Sequence, residues 1–226
     1  MRKKIISFLN KYKMLKWLLV LFHIFIGRNS FHMKGSIVIG NSNVYKTKIQ
    51  EKRGKDNKIL IGNNTDLTNS TIIIKGSHNN ITLGDASFIN GLTIIVEGDN
   101  NTVLIENNVF ILDDTRVYVV DGSKLKIENG CMLSDRIDIR TTDNHSIFDK
   151  SNGKRINYEK DVLLHNNVWI GTGVTLLKGV ELAEGCIVGA GSIITKKCSN
   201  PNCIIAGNPG RIIRENISWK MERTKK

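Results

Sequence analysis

Branched apolar residues recur in this chain at one fixed interval, and that interval limits the folds open to it. Ile39, Ile61, Leu83, Ile105 and Ile127 stand 22 residues apart, each followed by glycine or glutamate. Two positions further on stand Asn41, Asn63, Asp85, Asn107 and Asn129, and six positions on stand Tyr45, Leu67, Ile89, Ile111 and Leu133. Columns that hold over five periods mark a repeat protein. The period is too short for a pair of helices. The runs between the columns, "TIIIKG", "NNITLG", "LTIIVEG" and "RVYVV", are rich in β-branched residues and bounded by Gly and Asn, which reads as strands joined by tight corners. Each period is therefore expected to form one turn of a β-solenoid, its inward side chains stacked on those of the next coil.

Further along, the period shortens to six. Leu164, Ile170, Leu176, Leu182, Val188 and Ile194 follow one another at that spacing, and four residues after each stands Val168, Val174, Val180, Cys186, Ser192 or Cys198. Six residues make one flat side and its corner, so three hexads close a triangular coil. The 22-residue coils then read as 18 residues plus four at one widened corner, where Gly54, Gly76 and Gly98 recur. Between Ile127 and Leu164 the gap is 37 residues, so about a coil's length of chain leaves the ladder as a loop. Expected divisions are a basic apolar N-terminal helix (1–27), wide coils (28–135), a protruding loop (136–160), hexad coils (161–207) and a C-terminal segment ending in a short helix (208–226).

The net charge of +12 looks like a nucleic-acid signal. Its distribution argues otherwise. Residues 1–27 carry +6 and residues 211–226 carry +4, leaving +2 for the body, and no nucleic-acid-binding motif accompanies the charge. The N-terminal run "WLLVLFHIFI" is too short to span a bilayer. No small-residue cleavage site follows it. It reads as a basic helix lying on an anionic membrane surface or packing on a neighbouring subunit, with the protein cytoplasmic or peripheral on the inner face of the membrane. Cys131, Cys186, Cys198 and Cys203 show no C-x-x-C and no Cys/His pairing, so they read as isolated thiols and no metal is expected.

An excursion that stacks on nothing is where a solenoid places function. The stretch "TTDNHSIFD" opens this one. A neutral imidazole at His145 can take a proton from a hydroxyl near neutral pH, and Asp143, two residues before it, could hold the other ring nitrogen. His23, His32, His78 and His165 carry no such signal.

"DNHSIF", an arginine, "NNVWIGTGVTLLKGVELAEGCIVGAGSIITKK" and "AGNPGRIIRE" follow in an order that resembles the hexapeptide-repeat O-acetyltransferases, including those acting on galactosides, maltose and capsular polysialic acid. The likeness runs from about Asn129 to Trp219. It implies a left-handed parallel β-helix, although spacing alone leaves a right-handed helix open for the wide coils. It implies acetyl-CoA as donor, a sugar or polysaccharide hydroxyl as acceptor, and a homotrimer with coenzyme clefts between subunits. Position by position, it makes His145 the base. Trp169 would line the acetyl-CoA and acceptor site, Thr172 and Ala190 would meet the pantetheine arm, and Thr195, Lys196 and Arg211 the nucleotide phosphates. Arg155 would meet an anionic acceptor. The chain departs from the family at Ser146, where proline is usual, and at Gly210. Transfer is expected to be direct, with no acyl-enzyme. A drug-modifying acetyltransferase, a zinc hydratase of the same fold and a non-catalytic solenoid are the competing readings.

Overall fold

A computed structural model describes residues 27–222 of the 226. These residues form a three-faced parallel β-solenoid whose faces carry eight, seven and nine strands. Each coil contributes one strand to each face in turn. Strand Leu92–Glu97 on the first face is thus followed by Thr102–Ile105 on the second and Phe110–Ile111 on the third.

The 22-residue columns become vertical stacks. Ile39, Ile61, Leu83, Ile105, Ile127, Leu164 and Leu182 pair in one register along the second face, and all are buried. Period-two alternation sends every other side chain inward, so a single aliphatic core runs the length of the described chain. The hexads from Leu164 to Ile194 behave the same way.

The asparagine column is a second ladder at the corner between the second and third faces. The backbone N–H of Asn41 donates to Asn63 Oδ1 (3.0 Å), that of Asn63 to Asp85 (2.6 Å), that of Asp85 to Asn107 (2.8 Å), and that of Asn107 to Asn129 (3.1 Å). Side chains thereby satisfy amides that the corner removes from the strand ladder. Asn57, Asn79 and Asn101 form a third ladder, buried under the wide corner, and it too has a 22-residue period.

Four details differ from the sequence reading. In the first coil Val44, not Tyr45, takes the inward place and pairs with Leu67, because alternation turns Tyr45 outward beside Lys46. The four extra residues of the wide coils lengthen the first face as well as its corner: strands there run to six residues in Leu92–Glu97 and Thr115–Val120, against two in Thr175–Leu176. At the hexad end Cys198 stands above Leu182 and not above Val180, where the six-residue step would set it, and Cys203 closes the last coil above Cys186. Finally, the expected C-terminal helix is absent from residues 208–222. Gly210–Arg214 instead pairs antiparallel with Ile204–Gly207, because the "GNPG" turn reverses the chain and offers Arg211–Arg214 an open strand edge. The expected N-terminal helix lies outside the described residues, except for Gly27. No helix among the described residues is long and apolar enough to cross a membrane.

Glycine is required at two positions of the wide corner. A Cβ on Gly76 would fall onto the backbone carbonyl of Gly98 one coil away, and one on Gly54 onto that of Gly76, where φ is also +105°.

Candidate active site

The loop grows out of this wide corner. Strand Asp138–Arg140 is still in register with Arg116–Tyr118 on the first face, so the excursion starts later than position 136, at Thr141, and ends at Val162 on the second face. Its distal part is a hairpin. Phe148 pairs with Arg155, Ile156 N–H donates to Ile147 carbonyl (2.9 Å), and Asp149 N–H donates to Lys154 carbonyl (2.8 Å).

Asn157 fixes the base of the hairpin, a role with no signal in the sequence beyond its place in the loop. Its buried amide donates to Asp143 Oδ2 (2.9 Å) and to the His145 carbonyl (2.8 Å), and accepts from Ile147 N–H (2.6 Å). Lys178, at the same corner one coil on, donates to the Asp143 carboxylate and to the Asn157 carbonyl (3.0 Å). The Lys178 hydrogen bond and then that of Asn157 hold the Asp143 carboxyl below the usual range.

Asp143 is therefore placed differently from the expectation that it orients the imidazole. Its carboxylate is taken by Lys178 and Asn157, and it anchors the loop. The His145 backbone N–H donates to the Asp143 carbonyl (2.8 Å), which sets the turn. The His145 side chain is exposed, and its ring makes no hydrogen bond among the described residues.

A cleft of about 540 Å³ opens in front of that ring, lined by Arg53, Glu97, Tyr118, His145, Arg155 and Glu159 among others. Its walls are polar and mutually paired. Tyr118 donates to Glu97 (2.8 Å), which also meets Arg53 and Lys75 at 3.5 Å. Burial, and then the Glu97 hydrogen bond, pushes the Tyr118 hydroxyl up to about 12, so it stays a neutral donor. Arg155 reaches Glu159 (2.6 Å) and lies over the Tyr158 ring, with its Nε buried and unpartnered. His145 and Arg155 thus share one cleft.

The remaining site residues fall elsewhere on the triangle. Trp169 is on the third face against Trp219, ring centroids 5.7 Å apart, and its Nε1 is buried without a partner. Thr172 and Ala190 follow at the corner between third and first faces. They stack in successive coils, with Gly191 N–H donating to the Thr172 carbonyl (2.8 Å), while the Thr172 hydroxyl donates to Asp135 (2.6 Å). None of the three lines the His145 cleft. Lys196 and Arg211 both line a second cleft of about 410 Å³ at the C-terminal end, and Thr195 precedes Lys196 in the chain. His165, set aside in the sequence, sits between Glu128 and Glu181 (3.2 Å each) on the second face.

Residues 161–196 match the family described as Bacterial transferase hexapeptide (six repeats). The polysialic acid O-acetyltransferase of Escherichia coli O1:K1 / APEC is 38% identical over 81 residues, and that of Neisseria meningitidis 37% over 82; each match covers 36% of this chain. The chain spans only 26% and 38% of the lengths of these curated relatives. Likeness to solved structures is broader. The polysialic acid O-acetyltransferase OatWY superposes with a TM-score of 0.82 at 32% identity, covering 87% of this chain and 92% of that one. The polySia-specific acetyltransferase NeuO gives 0.63 at 31% identity, covering 80% and 91%. The chain therefore belongs to the family of hexapeptide-repeat acetyltransferases that includes the polysialic acid O-acetyltransferases.

Proposed function

We propose that the protein transfers an acetyl group from acetyl-CoA to a sugar hydroxyl of a capsular or other cell-surface polysaccharide, an anionic polymer of the polysialic acid kind. The observation that carries this reading is a loop histidine, free of ring partners, in a polar cleft on a chain that aligns with nearly the whole of OatWY.

In this mechanism the acceptor hydroxyl lies at His145, which removes its proton as the oxygen attacks the thioester carbonyl. The thiol of coenzyme A leaves and the ester forms in one ternary complex. Arg155 and Arg53 offer positive charge to an acidic acceptor. Lys196 and Arg211 bind the nucleotide phosphates, and Thr195 stands beside them. The pantetheine arm runs past Thr172 and Ala190, with Trp169 on the adjoining third face.

The corner of Thr172 and Ala190 and the corner of His145 lie at opposite ends of the first face of the triangle, so a neighbouring solenoid that brought its own Thr172 corner to the loop would complete the site, an arrangement that a cyclic homotrimer repeats for every copy. Ile147, Phe148, Ile156 and Tyr158, each more than half exposed on the loop, are suited to that contact. The left hand of the helix and a membrane-surface role for residues 1–27 belong to the same reading.

The test is acetyl-CoA-dependent thiol release with polysialic acid and a panel of neutral and acidic oligosaccharides. His145→Ala should lower the rate roughly 10²- to 10⁴-fold without changing the fold. Undiminished turnover in that variant would refute the assignment of the base. A small antibiotic as the best acceptor would refute the polysaccharide.

A further inference from the structure

Three of the four cysteines converge on one point. Cys186 lies just before strand Ile187–Val188, Cys203 directly above it before Ile204–Gly207, and Cys198 comes in from the second face, where it bridges to Leu182. Sγ of Cys203 is 3.5 Å from that of Cys186 and 3.8 Å from that of Cys198, and all three sulfurs lie within 4.8 Å of one another. The carbonyl oxygen of Asn200 faces the triangle at 3.2 Å from Cys186, 3.2 Å from Cys203 and 3.9 Å from Cys198.

Stacking alone explains part of this arrangement. The inward column that Val168 occupies one coil earlier passes through Cys186 and Cys203, and a small apolar side chain is all that the column requires. Cys198 likewise continues the inward stack of the second face above Leu182, but neither stack requires that all three adjoining inward positions at this end be cysteine. Nor does either require a carbonyl aimed at all three sulfurs.

We propose that Cys186, Cys198 and Cys203 form a three-thiolate site for one zinc ion, with the Asn200 carbonyl at or near the fourth position. Zinc–sulfur bonds of about 2.3 Å in tetrahedral geometry set sulfurs about 3.8 Å apart, so two of the three edges already have that length and only the third must close. Cys198 is half-buried and lines the cleft of Lys196 and Arg211, which gives the ion an entry path. Neither the proton transfer at His145 nor the thioester chemistry uses these thiols, so the site stands whether or not the acetyl-transfer reading holds.

Burial is the first cause that raises both the Cys186 and the Cys203 thiols above their ordinary range, so the free protein holds them protonated. Zinc must displace those protons, and its affinity therefore rises with pH, by about tenfold or more per unit. Once bound, the ion would pin the 198–203 turn that walls the second cleft.

The experiment uses the full chain, reduced with a phosphine and freed of metal, titrated with Zn(II) against a chromophoric chelator and separately with Co(II). Expected are one equivalent of Zn(II), a thiolate-to-Co(II) charge-transfer band with tetrahedral ligand-field bands, and a loss of at least ~100-fold in affinity for Cys198→Ser. Cys198 is the ligand closest to solvent, so its variant keeps the packed column. Cys131→Ser, which removes the thiol outside the cluster, should bind as wild type. Absence of the charge-transfer band, or undiminished zinc affinity in Cys198→Ser, overturns the proposal.

Discussion

Replacing Asn157 by aspartate keeps the shape of the side chain and turns the donor of two hydrogen bonds into an acceptor. The wild-type amide donates to the Asp143 carboxylate at 2.9 Å and to the His145 carbonyl at 2.8 Å, and both bonds are part-buried. A bond to a charged acceptor is worth about 1.5–3 kcal/mol and a neutral one about 0.5–1.5 kcal/mol, so the exchange removes roughly 2–4.5 kcal/mol from the loop base. It also places one carboxylate against another. The bond accepted from Ile147 N–H survives. If His145 is productive only with the loop base closed, a loss near 3 kcal/mol lowers kcat/KM about a hundredfold, since about 1.4 kcal/mol is a factor of ten. Two adjoining carboxylates share a proton as the pH falls. One of them then becomes a donor again, and the deficit relative to wild type at the same pH should shrink. The assays are thiol release from acetyl-CoA between neutral and mildly acidic pH, and thermal unfolding of each variant. Because the coils stack without the loop, the melting of the solenoid should change little. An Asn157→Asp variant with more than a third of wild-type activity would refute the reasoning, as would one whose whole core melts early.

Three other outcomes follow from the geometry. Asn79→Ala removes two donated hydrogen bonds and leaves the buried Asn101 N–H without its acceptor, so it should cost about 3 kcal/mol in urea unfolding, against little for the exposed neighbour Asn80→Ala. Asp143 should titrate below the ordinary aspartate value of about 3.9 by carboxyl NMR, and Lys178→Met should raise its midpoint. Since the native value is the depressed one, the anchoring contribution of Asp143 is complete above the ordinary value and lost as pH falls through the native one. Lys196→Ala and Arg211→Ala should each raise KM for acetyl-CoA about tenfold with kcat within about twofold; a matching fall in kcat would count against a phosphate-binding role.

The solenoid was legible because stacking imposes one register on every coil: a residue that faces inward at Ile61 must do so at Leu83 and Ile105. The same periodicity held the buried Asn57, Asn79 and Asn101 ladder, but polar residues at a corner read as a turn, and only burial reveals them as structural. The loop was legible as a missing beat. Its interior was not, because nothing repeats there: the partners of Asp143 come from Asn157 across a hairpin and from Lys178 in the next coil, 14 and 35 residues away. Cys198 shows the same limit. Its six-residue spacing set it above Val180, whereas the chain places it above Leu182, and the turn that follows brings Cys203 above Cys186.

The constant length of the wide coils has a consequence for how such a chain tolerates insertion and deletion. A segment of 22 residues removed between Gly62 and Gly84 would leave Ile61 to stack on Ile105 and Gly54 to meet Gly98, with the loop unchanged and Lys75, one of the two cations beside Glu97 in the His145 cleft, lost. A cut of 21 would turn each following aliphatic toward solvent until the next corner. Change in this part of the molecule is therefore quantised. The stack can be shortened or lengthened by whole steps of about 4.8 Å, the spacing between neighbouring strands, while a single-residue slip is felt as far as the nearest glycine corner.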